Sequence, residues 1–523
     1  MRKSAVLVSS GLRRDFTAAV IARVSRAALV ALVWLAATTA TYAQPAADGP
    51  ARVYVRRIEF VGVTRTDDET LRRELTQLEG TFVNTVELER SRQRLERLPF
   101  IANARVALRP VGTTPDVVDV VISIEEAPAR RYGGGGGYSE SLRTSLYGYY
   151  SDDNWLGKGQ RIAVQVEGSD LRRRLDVLHT VPYVTPDGTS RTVALSANDI
   201  DQLTVDSSPV HVESASARLE YGLRLAGRDI DEQRATEAAP ACFGPNPHLS
   251  PVVADRCVAR LRVGVDARVV DLATTHGSSS QWIDWIAEQG GAPTSQGFLA
   301  TKSREADWLL GWNADLRDAD VFASRGAQQT LSVRAALPGS DAEYVMATYE
   351  AARYWPVGAT WTFDLRGNVG LGVAYGATPS LPPYQNFFAG GPNTVRGFRD
   401  GGLGPRDSLG RPYGGNLLAA LQLEVMAAWP SRWRDRVRVG FFYDVGNVFS
   451  TEDVKFADEQ GQPLDYGFKS SDLRRSYGLA LHVRVPLGLL RISYGEPLNA
   501  RESASVFHRD EVEHWQLSLG VQF

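Results

Sequence analysis

The stretch WQLSLGVQF, residues 515–523, alternates apolar and polar side chains along its whole length. One face carries Trp515, Leu517, Leu519, Val521 and Phe523, and the other carries Gln516, Ser518, Gly520 and Gln522. This period of two is the spacing of a β-strand whose faces meet different environments. LLAALQLEV (417–425), TLSVRAAL (330–337) and ASARLEYGL (215–223) repeat it, with charged side chains on the polar face. Such a sheet suits a barrel with lipid outside and water inside.

The same alternation begins near residue 132 and predicts sixteen strands. The predicted strands are 132–140, 142–151, 160–168, 172–183, 190–201, 211–225, 258–271, 306–316, 327–337, 343–355, 359–372, 415–429, 436–449, 474–486, 489–496 and 513–523. An even number brings both ends of a barrel to one side, where a preceding domain would lie. The alternative, a secreted protein of several β-sandwiches, is disfavoured because domain linkers are missing and an aromatic residue ends the last strand. We therefore predict a 16-stranded antiparallel transmembrane β-barrel over residues 132–523.

Residues 51–128 predict a small α+β domain with the order β-α-α-β-β. A strand, RVYVRRIEFVG, is followed by two stretches with leucines at helical spacing and then by two further strands. Thr66 and Glu69 have the spacing of a capping box, and so do Asn84 and Glu87 at the second helix. The sequence therefore predicts one compact domain in front of the barrel.

Residues 1–43 resemble a secretory signal peptide. Six basic residues accompany the apolar core AALVALVWLAATTA, which is short for a membrane span of about 20 residues. We expect cleavage before Gln44; an uncleaved anchor helix is the alternative. The remaining chain has 52 basic and 60 acidic residues, a net charge near −8, which argues against a nucleic-acid partner.

The chain has two cysteines, Cys242 and Cys257, within a polar insertion on a turn predicted at the domain side of the barrel. In an exported chain they predict one local disulfide, with a pair of free thiols as the alternative. Because the seven histidines are scattered and no GxSxG motif occurs, we expect no metal, no cofactor and no enzymatic activity.

A long loop at residues 373–414 carries the motif that links the chain to a known family. Its residues Gly390, Gly391, Val395, Arg396, Gly397 and Phe398 resemble the VRGF/Y signature of the BamA/TamA superfamily of outer-membrane assembly and translocation proteins. RRELTQLEGTFVN (72–84) and RQRLERLPF (92–100) resemble its membrane-proximal POTRA domain. DNWLGKG (153–159) and GGNLLAALQLEV (414–425) are similar to its barrel. The resemblance extends over almost the whole mature chain and is greatest to the BamA branch, whose members carry several POTRA domains where this chain has room for one.

Arg396 is a candidate for an ionic latch inside the barrel. An apolar, aromatic loop of this length is expected to fold back into the lumen, where Glu424 and Asp444 face inward by strand parity. A guanidinium is a rigid fork suited to carboxylates, and the resemblance implies these same partners. The alternative is that Arg396 is one of many solvated luminal arginines. We expect the latch to be structural.

The run RRYGGGGGYSE, residues 130–140, stands at the start of the first predicted strand. It contains Gly133, Gly134, Gly135, Gly136 and Gly137. In a closed barrel the first strand pairs with the last, which ends at Phe523. Five glycines, at about 0.5–1 kcal/mol each, would weaken that lateral seam and offer unpaired backbone groups to another chain. The alternative is that the glycines form a flexible linker between two domains.

The resemblance implies an outer-membrane insertase that folds and inserts β-barrel proteins through the weak seam. Its expected partners are unfolded β-barrel clients, the lipid bilayer and periplasmic accessory proteins bound by the POTRA domain, which would lie in the periplasm. A single POTRA domain predicts a reduced paralogue with a narrower range of clients. The alternatives are a translocation pore of the two-partner-secretion type and a passive porin.

Overall fold

The computed structural model describes residues 53–520 except 113, 140–142, 186–187, 205, 225–259, 320, 359, 430–432, 434–435 and 486–487. The predicted signal peptide, both cysteines and Phe523 lie outside the described residues. Of the helices within that range, none has the length and apolar character needed to cross a membrane.

The N-terminal domain has the predicted order of strands and helices. Its described elements are β1 (Tyr54–Val61), α1 (Asp68–Arg72), α2 (Thr85–Glu96), β2 (Ile101–Val111) and β3 (Thr114–Glu126). Strand β3 is central, parallel to β1 and antiparallel to β2. Leu71 and Leu95 from the helices pack against Val55, Val120 and Ile122 of the sheet, which closes the domain core.

The two predicted helix caps have different outcomes. Asn84 caps α2, because its side chain accepts hydrogen bonds from the backbone N–H groups of Val86 and Glu87. The capping box at Thr66 is wrong: Asp67 is the N-cap of α1 and makes no side-chain cap bond. The hydroxyl of Thr66 donates instead to Glu126, at 2.5 Å. A carboxylate distant in sequence has displaced the local cap.

The barrel has sixteen long strands in the part of the chain that the structure describes, as predicted. They are β4 (Arg130–Ser139), β5 (Arg143–Trp155), β6 (Gln160–Ser169), β7 (Arg172–Val181), β8 (Ser190–Ile200), β9 (Val210–Arg224), β10 (Arg260–Thr274), β12 (Leu299–Asp315), β13 (Gly326–Ala336), β14 (Tyr344–Val357), β15 (Trp361–Ala374), β17 (Leu417–Ala428), β18 (Val437–Phe449), β19 (Arg474–Val485), β20 (Gly488–Pro497) and β22 (Trp515–Gly520). The connections contain helix α3 (Ser280–Glu288) and the two-residue strands β11 (Ala292–Pro293), β16 (Gly397–Phe398) and β21 (Val512–Glu513). Most boundaries fall within a few residues of the prediction; β12 begins seven residues earlier.

The pairing register keeps apolar and polar faces continuous around the barrel. Leu421 of β17 lies opposite Val445 of β18, and the next pair, Gln422 with Asp444, points the other way. The outward side chains Phe441 and Leu479 are 52% and 58% exposed. Asp444 is fully buried inside. The barrel is therefore apolar outside and charged inside, as the alternation predicts.

Among the described residues, which end at Gly520 in β22, the junction between the first and last strands has fewer registered pairs than its neighbours. Within the described residues, β22 meets β4 at one registered pair, Leu519 with Tyr138. By contrast, β4 pairs with β5 over ten positions, from Arg130 to Ser139. Since this ladder includes the whole glycine run, the linker interpretation of Gly133–Gly137 is wrong.

Candidate functional site

The connection between β15 and β17, residues 375–416, folds into the barrel; we call it the plug loop. Its buried apolar side chains pack against the inner wall. Those of the loop are Ala389, Val395, Phe398 and Leu403, and those of the wall are Leu418 and Val448. This packing places the VRGF motif in the lumen.

Arg396 contacts both carboxylates that the sequence predicts. Its Nε and Nη2 donate to the two oxygens of Asp444 at 2.7 and 2.8 Å, and its backbone N–H donates to Asp444 at 3.0 Å. Its Nη1 donates to Oε2 of Glu424 at 2.8 Å. Arg396 is 5% exposed and Asp444 is fully buried. The pair with Asp444 is thus bidentate, which fixes the guanidinium plane as well as its charge.

Two further side chains complete this latch, and sequence reasoning missed them. The ring of Phe442 lies 3.7 Å from the guanidinium carbon of Arg396, a cation–π contact inside the barrel. His482 on β19 places Nε2 2.8 Å from Oε1 of Glu424. Strand parity could have found Phe442, which shares the inner face of β18 with Asp444. His482 could not be found that way, because its contact depends on the register of β19.

Glycines allow the close approach of the loop to the wall. Gly397 has φ +86°, a conformation that side chains other than glycine rarely adopt. On β20, a Cβ at Gly495 would lie 2.7 Å from the backbone nitrogen of Gly397. Because neither Gly397 nor Gly495 has a side chain, the backbones of the plug loop and of β20 can lie in direct contact.

The tip of the plug loop is hydrogen-bonded to the end of the barrel sheet. Strand β16 pairs with β21, directly before the last strand. In β22, the side chain of Gln516 donates to the carbonyl of Phe398 at 2.6 Å and accepts from the N–H of Gly397 at 3.4 Å. The loop that carries Arg396 thus also holds the last strand of the barrel.

The glycine run of β4 has two different faces. The inward glycines lie beneath tyrosine rings of β5: a Cβ at Gly135 would lie 2.4 Å from the hydroxyl of Tyr147, and one at Gly133 would lie 2.9 Å from the ring of Tyr149. On the outward face, a Cβ at Gly136 would make only an ordinary contact, at 3.5 Å. The inward glycines therefore accommodate aromatic rings, which sequence reasoning missed.

The structure also brings together three side chains with metal-ligating atoms, although the sequence predicts no metal site. Asp199, Asp201 and His211 meet at the barrel end distant from the N-terminal domain. Nδ1 of His211 lies 3.1 Å from Asp201 and 3.8 Å from Asp199. These groups are partly or fully exposed, and the hydrogen bond between His211 and Asp201 accounts for the contact.

Comparison with known proteins gives two family matches. Residues 154–523 match the Omp85 superfamily domain, and residues 53–127 match the POTRA family, described as a surface antigen variable number repeat. Outer membrane protein assembly factor BamA from Neisseria meningitidis serogroup B is 28% identical over 492 residues, which is 90% of this chain and 57% of the relative. The chain thus spans little more than half of that protein.

Solved structures share the fold. BamA from Haemophilus ducreyi lacking POTRA domains 1–3 aligns with a TM-score of 0.74 and 24% identity, over 91% of this chain and 86% of that chain. CdiB from Acinetobacter baumannii aligns with a TM-score of 0.50 and 12% identity, over 90% of this chain and 74% of that chain.

Proposed function

The chain belongs to the Omp85 superfamily, and on that premise we propose that it folds β-barrel proteins and inserts them into the outer membrane through the seam between β4 and β22, without covalent chemistry. A relative that is named an assembly factor supports this activity. The observation that carries the proposal is the single registered pair, Leu519 with Tyr138, that joins the two strands within the described residues.

We infer that the energy for insertion comes from backbone groups of β4 with which an incoming strand would pair in place of β22. An unsatisfied N–H or C=O in hydrocarbon costs several kcal/mol, so an incoming strand that pairs with β4 is stabilised there. Strand β22 is held by its pairing with β20 and by the hydrogen bond from its own Gln516 to Phe398 of the plug loop. We infer that the client adds to β4, whose glycines also weaken its pairing with β22.

The N-terminal domain offers one edge of its sheet for a second strand addition. The outer edge of β1 is covered: the N–H of Val55 donates to Thr81 and its carbonyl accepts from Gly80, both at 2.9 Å, and the N–H of Ile58 donates to Glu79 at 2.7 Å. Strand β2 forms the other edge and, among the described residues, pairs only with β3. We propose that this domain lies in the periplasm and that clients or accessory proteins pair with β2.

A translocation pore of the two-partner-secretion type remains the alternative function. The plug loop argues against it, because the loop lies inside the lumen and is fixed there by buried ion pairs. A translocated chain would have to displace the plug, whereas a laterally inserted strand would leave it in place.

The test is folding of an unfolded β-barrel client in liposomes that contain the purified protein. In a background with Cys242→Ala and Cys257→Ala, Tyr138→Cys with Leu519→Cys forms a crosslink across the seam. The pair Val345→Cys with Val373→Cys, opposite each other on β14 and β15, is the matched control.

We expect the uncrosslinked protein to accelerate client folding over empty liposomes, the seam crosslink to abolish the gain, and reduction to restore it. The control crosslink should leave the rate unchanged. Absence of any gain over empty liposomes, or full activity with the seam crosslinked, would overturn lateral insertion.

A further inference from the structure

The plug loop is also tied to a second section of the barrel wall, at a point that the VRGF motif does not include. We propose that Tyr384 is a second positioning residue of the plug loop. Through Glu305 it holds residues 380–385, which we call the stem of the loop, against β12. This contact keeps the lumen closed independently of the Arg396 latch. This inference concerns the closed state of the barrel and goes beyond client insertion.

The central contact joins a phenol of the loop to a carboxylate of the wall. Tyr384 lies in a short 3₁₀ turn, Pro383–Gln385, and its hydroxyl donates to Oε1 of Glu305. The other oxygen, Oε2, accepts from the hydroxyl of Tyr344 on β14 at 3.2 Å. Glu305 is 3% exposed and Tyr344 is fully buried. Both carboxylate oxygens are therefore occupied, one by the loop and the other by Tyr344 of the wall.

An ionic network on the wall holds Glu305 in place. Nη2 of Arg268 lies 3.5 Å from Glu305 and donates to Asp307 at 3.0 Å. Nη1 of Arg334 donates to Asp307 at 2.7 Å and to Asp266 at 3.0 Å. The three carboxylates are buried, and the two arginines that lie among them hold them in a fixed arrangement. A charged acceptor makes a stronger hydrogen bond to a phenol than a neutral one does.

The environment keeps Tyr384 a donor. Burial raises the pKa of Tyr384 well above its ordinary value of 10.0, and the nearby carboxylate of Glu305 raises it further. The phenol therefore retains its proton throughout the physiological range.

Helix α3 supports the same stem from above. The indole of Trp285 meets the ring of Tyr384 edge to face at 6.0 Å, and its Nε1–H donates to the carbonyl of Ser380 at 3.3 Å. Gln281, one turn earlier, donates to the carbonyl of Lys455 and accepts from the N–H of Ser408, both at 2.9 Å. The helix thus links the stem of the plug loop to a neighbouring loop at the same end of the barrel.

The two anchors use separate sections of the wall. Tyr384 precedes Arg396 by twelve residues and binds β12, whereas Arg396 binds β17 and β18. Strands β13, β14 and β15 stand between these sections. Release of one anchor therefore leaves the other intact, and the lumen should open only in part.

The experiment measures single-channel conductance of the purified protein in planar bilayers, without client. Tyr384→Phe removes only the hydroxyl, and Glu305→Gln removes only the charge. We expect each to raise the fraction of time spent in conducting states several-fold. The double variant should not exceed the larger single effect, because both changes act on the same hydrogen bond. Tyr384→Phe combined with Arg396→Lys should exceed either alone.

Tyr375→Phe is the matched control, since this tyrosine lies at the start of the plug loop and its hydroxyl donates to the backbone carbonyl of Ala336 at 2.6 Å. We expect its conductance to equal that of the unsubstituted protein. Closed-state conductance in Tyr384→Phe, or additive effects of Tyr384→Phe and Glu305→Gln, would overturn the second anchor.

The conductance experiment gives a result even if one variant does not fold or if the proposed insertion activity is wrong. If Glu305→Gln does not fold, judged by heat-modifiable gel mobility, Tyr384→Phe alone decides, because it leaves every ion pair of the wall in place. The assay contains no client, so its outcome is separate from that of the liposome folding experiment.

Discussion

Arg396 makes its contacts where water is excluded, and this decides how much the latch contributes. A buried ion pair is not necessarily a net gain over apolar packing, but removal of one partner leaves buried charge behind. Here a single guanidinium compensates Asp444 and part of Glu424. Its truncation should therefore cost far more than the loss of an arginine at the surface.

Arg396→Ala should lower the free energy of unfolding by about 3–5 kcal/mol, because the buried Asp444 loses its partner and Glu424 keeps only His482. Arg396→Lys should cost less, since it keeps the charge and loses the bidentate geometry. The measurement is urea unfolding in detergent micelles followed by tryptophan fluorescence. Arg173→Ala, at a side chain 81% exposed, is the control and should change stability by at most about 1 kcal/mol. Equal effects of Arg396→Ala and Arg173→Ala would contradict a desolvated latch.

Glu126 organises the loop that connects β1 to α1, and its protonation should release that loop. Its carboxylate accepts from the backbone N–H groups of Thr64, Arg65 and Thr66 and from the two threonine hydroxyls. Burial raises the pKa of Glu126, but the hydrogen bonds from Thr64 and Thr66 outweigh it and lower the pKa from 4.5 to about 2. Because the folded pKa is depressed, this stabilisation is complete above pH 4.5 and is lost as the pH falls toward 2.

The corresponding measurement is hydrogen exchange of these three amides, corrected for intrinsic rates, between pH 5 and pH 2. We expect their protection to fall over this window in the unsubstituted protein. In Glu126→Gln, protection should be lower at pH 5 and nearly independent of pH. Protection that stays constant in the unsubstituted protein would show that Glu126 does not hold the loop.

Strand parity accounts for the part of the site that the sequence predicts. Glu424 and Asp444 were found because alternation assigns each to an inner face before any register is known. Glu305 was missed because the prediction begins its strand at residue 306, whereas β12 begins at Leu299. Glu305 lies within TKSREAD, residues 301–307, which has too many polar and charged side chains to show the alternation of a strand. These side chains are charged because this section of β12 belongs to a buried ionic network.

At the scale of elements, we expect the glycine run to weaken β4, and the addition of one methyl group tests this expectation. Gly136→Ala places a Cβ at an ordinary 3.5 Å contact on the outward face. The change should stabilise β4 by about 0.5–1 kcal/mol, because alanine loses less backbone freedom on folding. A stronger β4–β22 junction should then slow client folding in liposomes.

Gly168→Ala on β6 is the matched control, since its Cβ would meet no atom within 4 Å. It makes the same chemical change in a strand paired on both sides. We expect similar stabilisation and an unchanged rate of client folding. Equal slowing by both variants would mean that general stability, rather than the seam, limits insertion.

The elements themselves were predictable, whereas contacts between distant elements were not. Alternation locates the sixteen strands because each must present one face to lipid and the other to the lumen. The hydrogen bond of Thr66 to Glu126 and the pairing of β16 with β21 join segments far apart in sequence. Local propensity carries no information about these two long-range contacts. The sequence therefore predicts a helix cap at Thr66 that does not form, and it does not predict the pairing of the plug loop with β21.

At the scale of the whole molecule, the N-terminal domain is bound directly to the start of the barrel. Asp152 at the end of β5 is fully buried and accepts from Arg65 of the domain at 2.5 Å and from Arg130 of β4 at 3.2 Å. Beside it, the side chain of Asn154 donates to the hydroxyl of Thr66 at 2.8 Å. One carboxylate thus joins the domain, the first strand and the second strand.

Asp152→Asn should therefore loosen the domain without opening the lumen. The variant keeps the shape of the side chain but loses the charge that two arginines share, which should cost about 1.5–3 kcal/mol of docking. The matched control is Asp153→Asn, because the adjacent aspartate binds Arg131 of β4 and lies 3.5 Å from Arg161 of β6. In a cysteine-free background, spin labels at Arg90→Cys on α2 and Val357→Cys on β14 report the distance between domain and barrel. Asp152→Asn should broaden that distance distribution, and Asp153→Asn should leave it narrow. A narrow distribution in both variants would contradict a role for Asp152. It would mean that the backbone hydrogen bond from Asp67 to Gly157, at 2.9 Å, is sufficient to hold the domain.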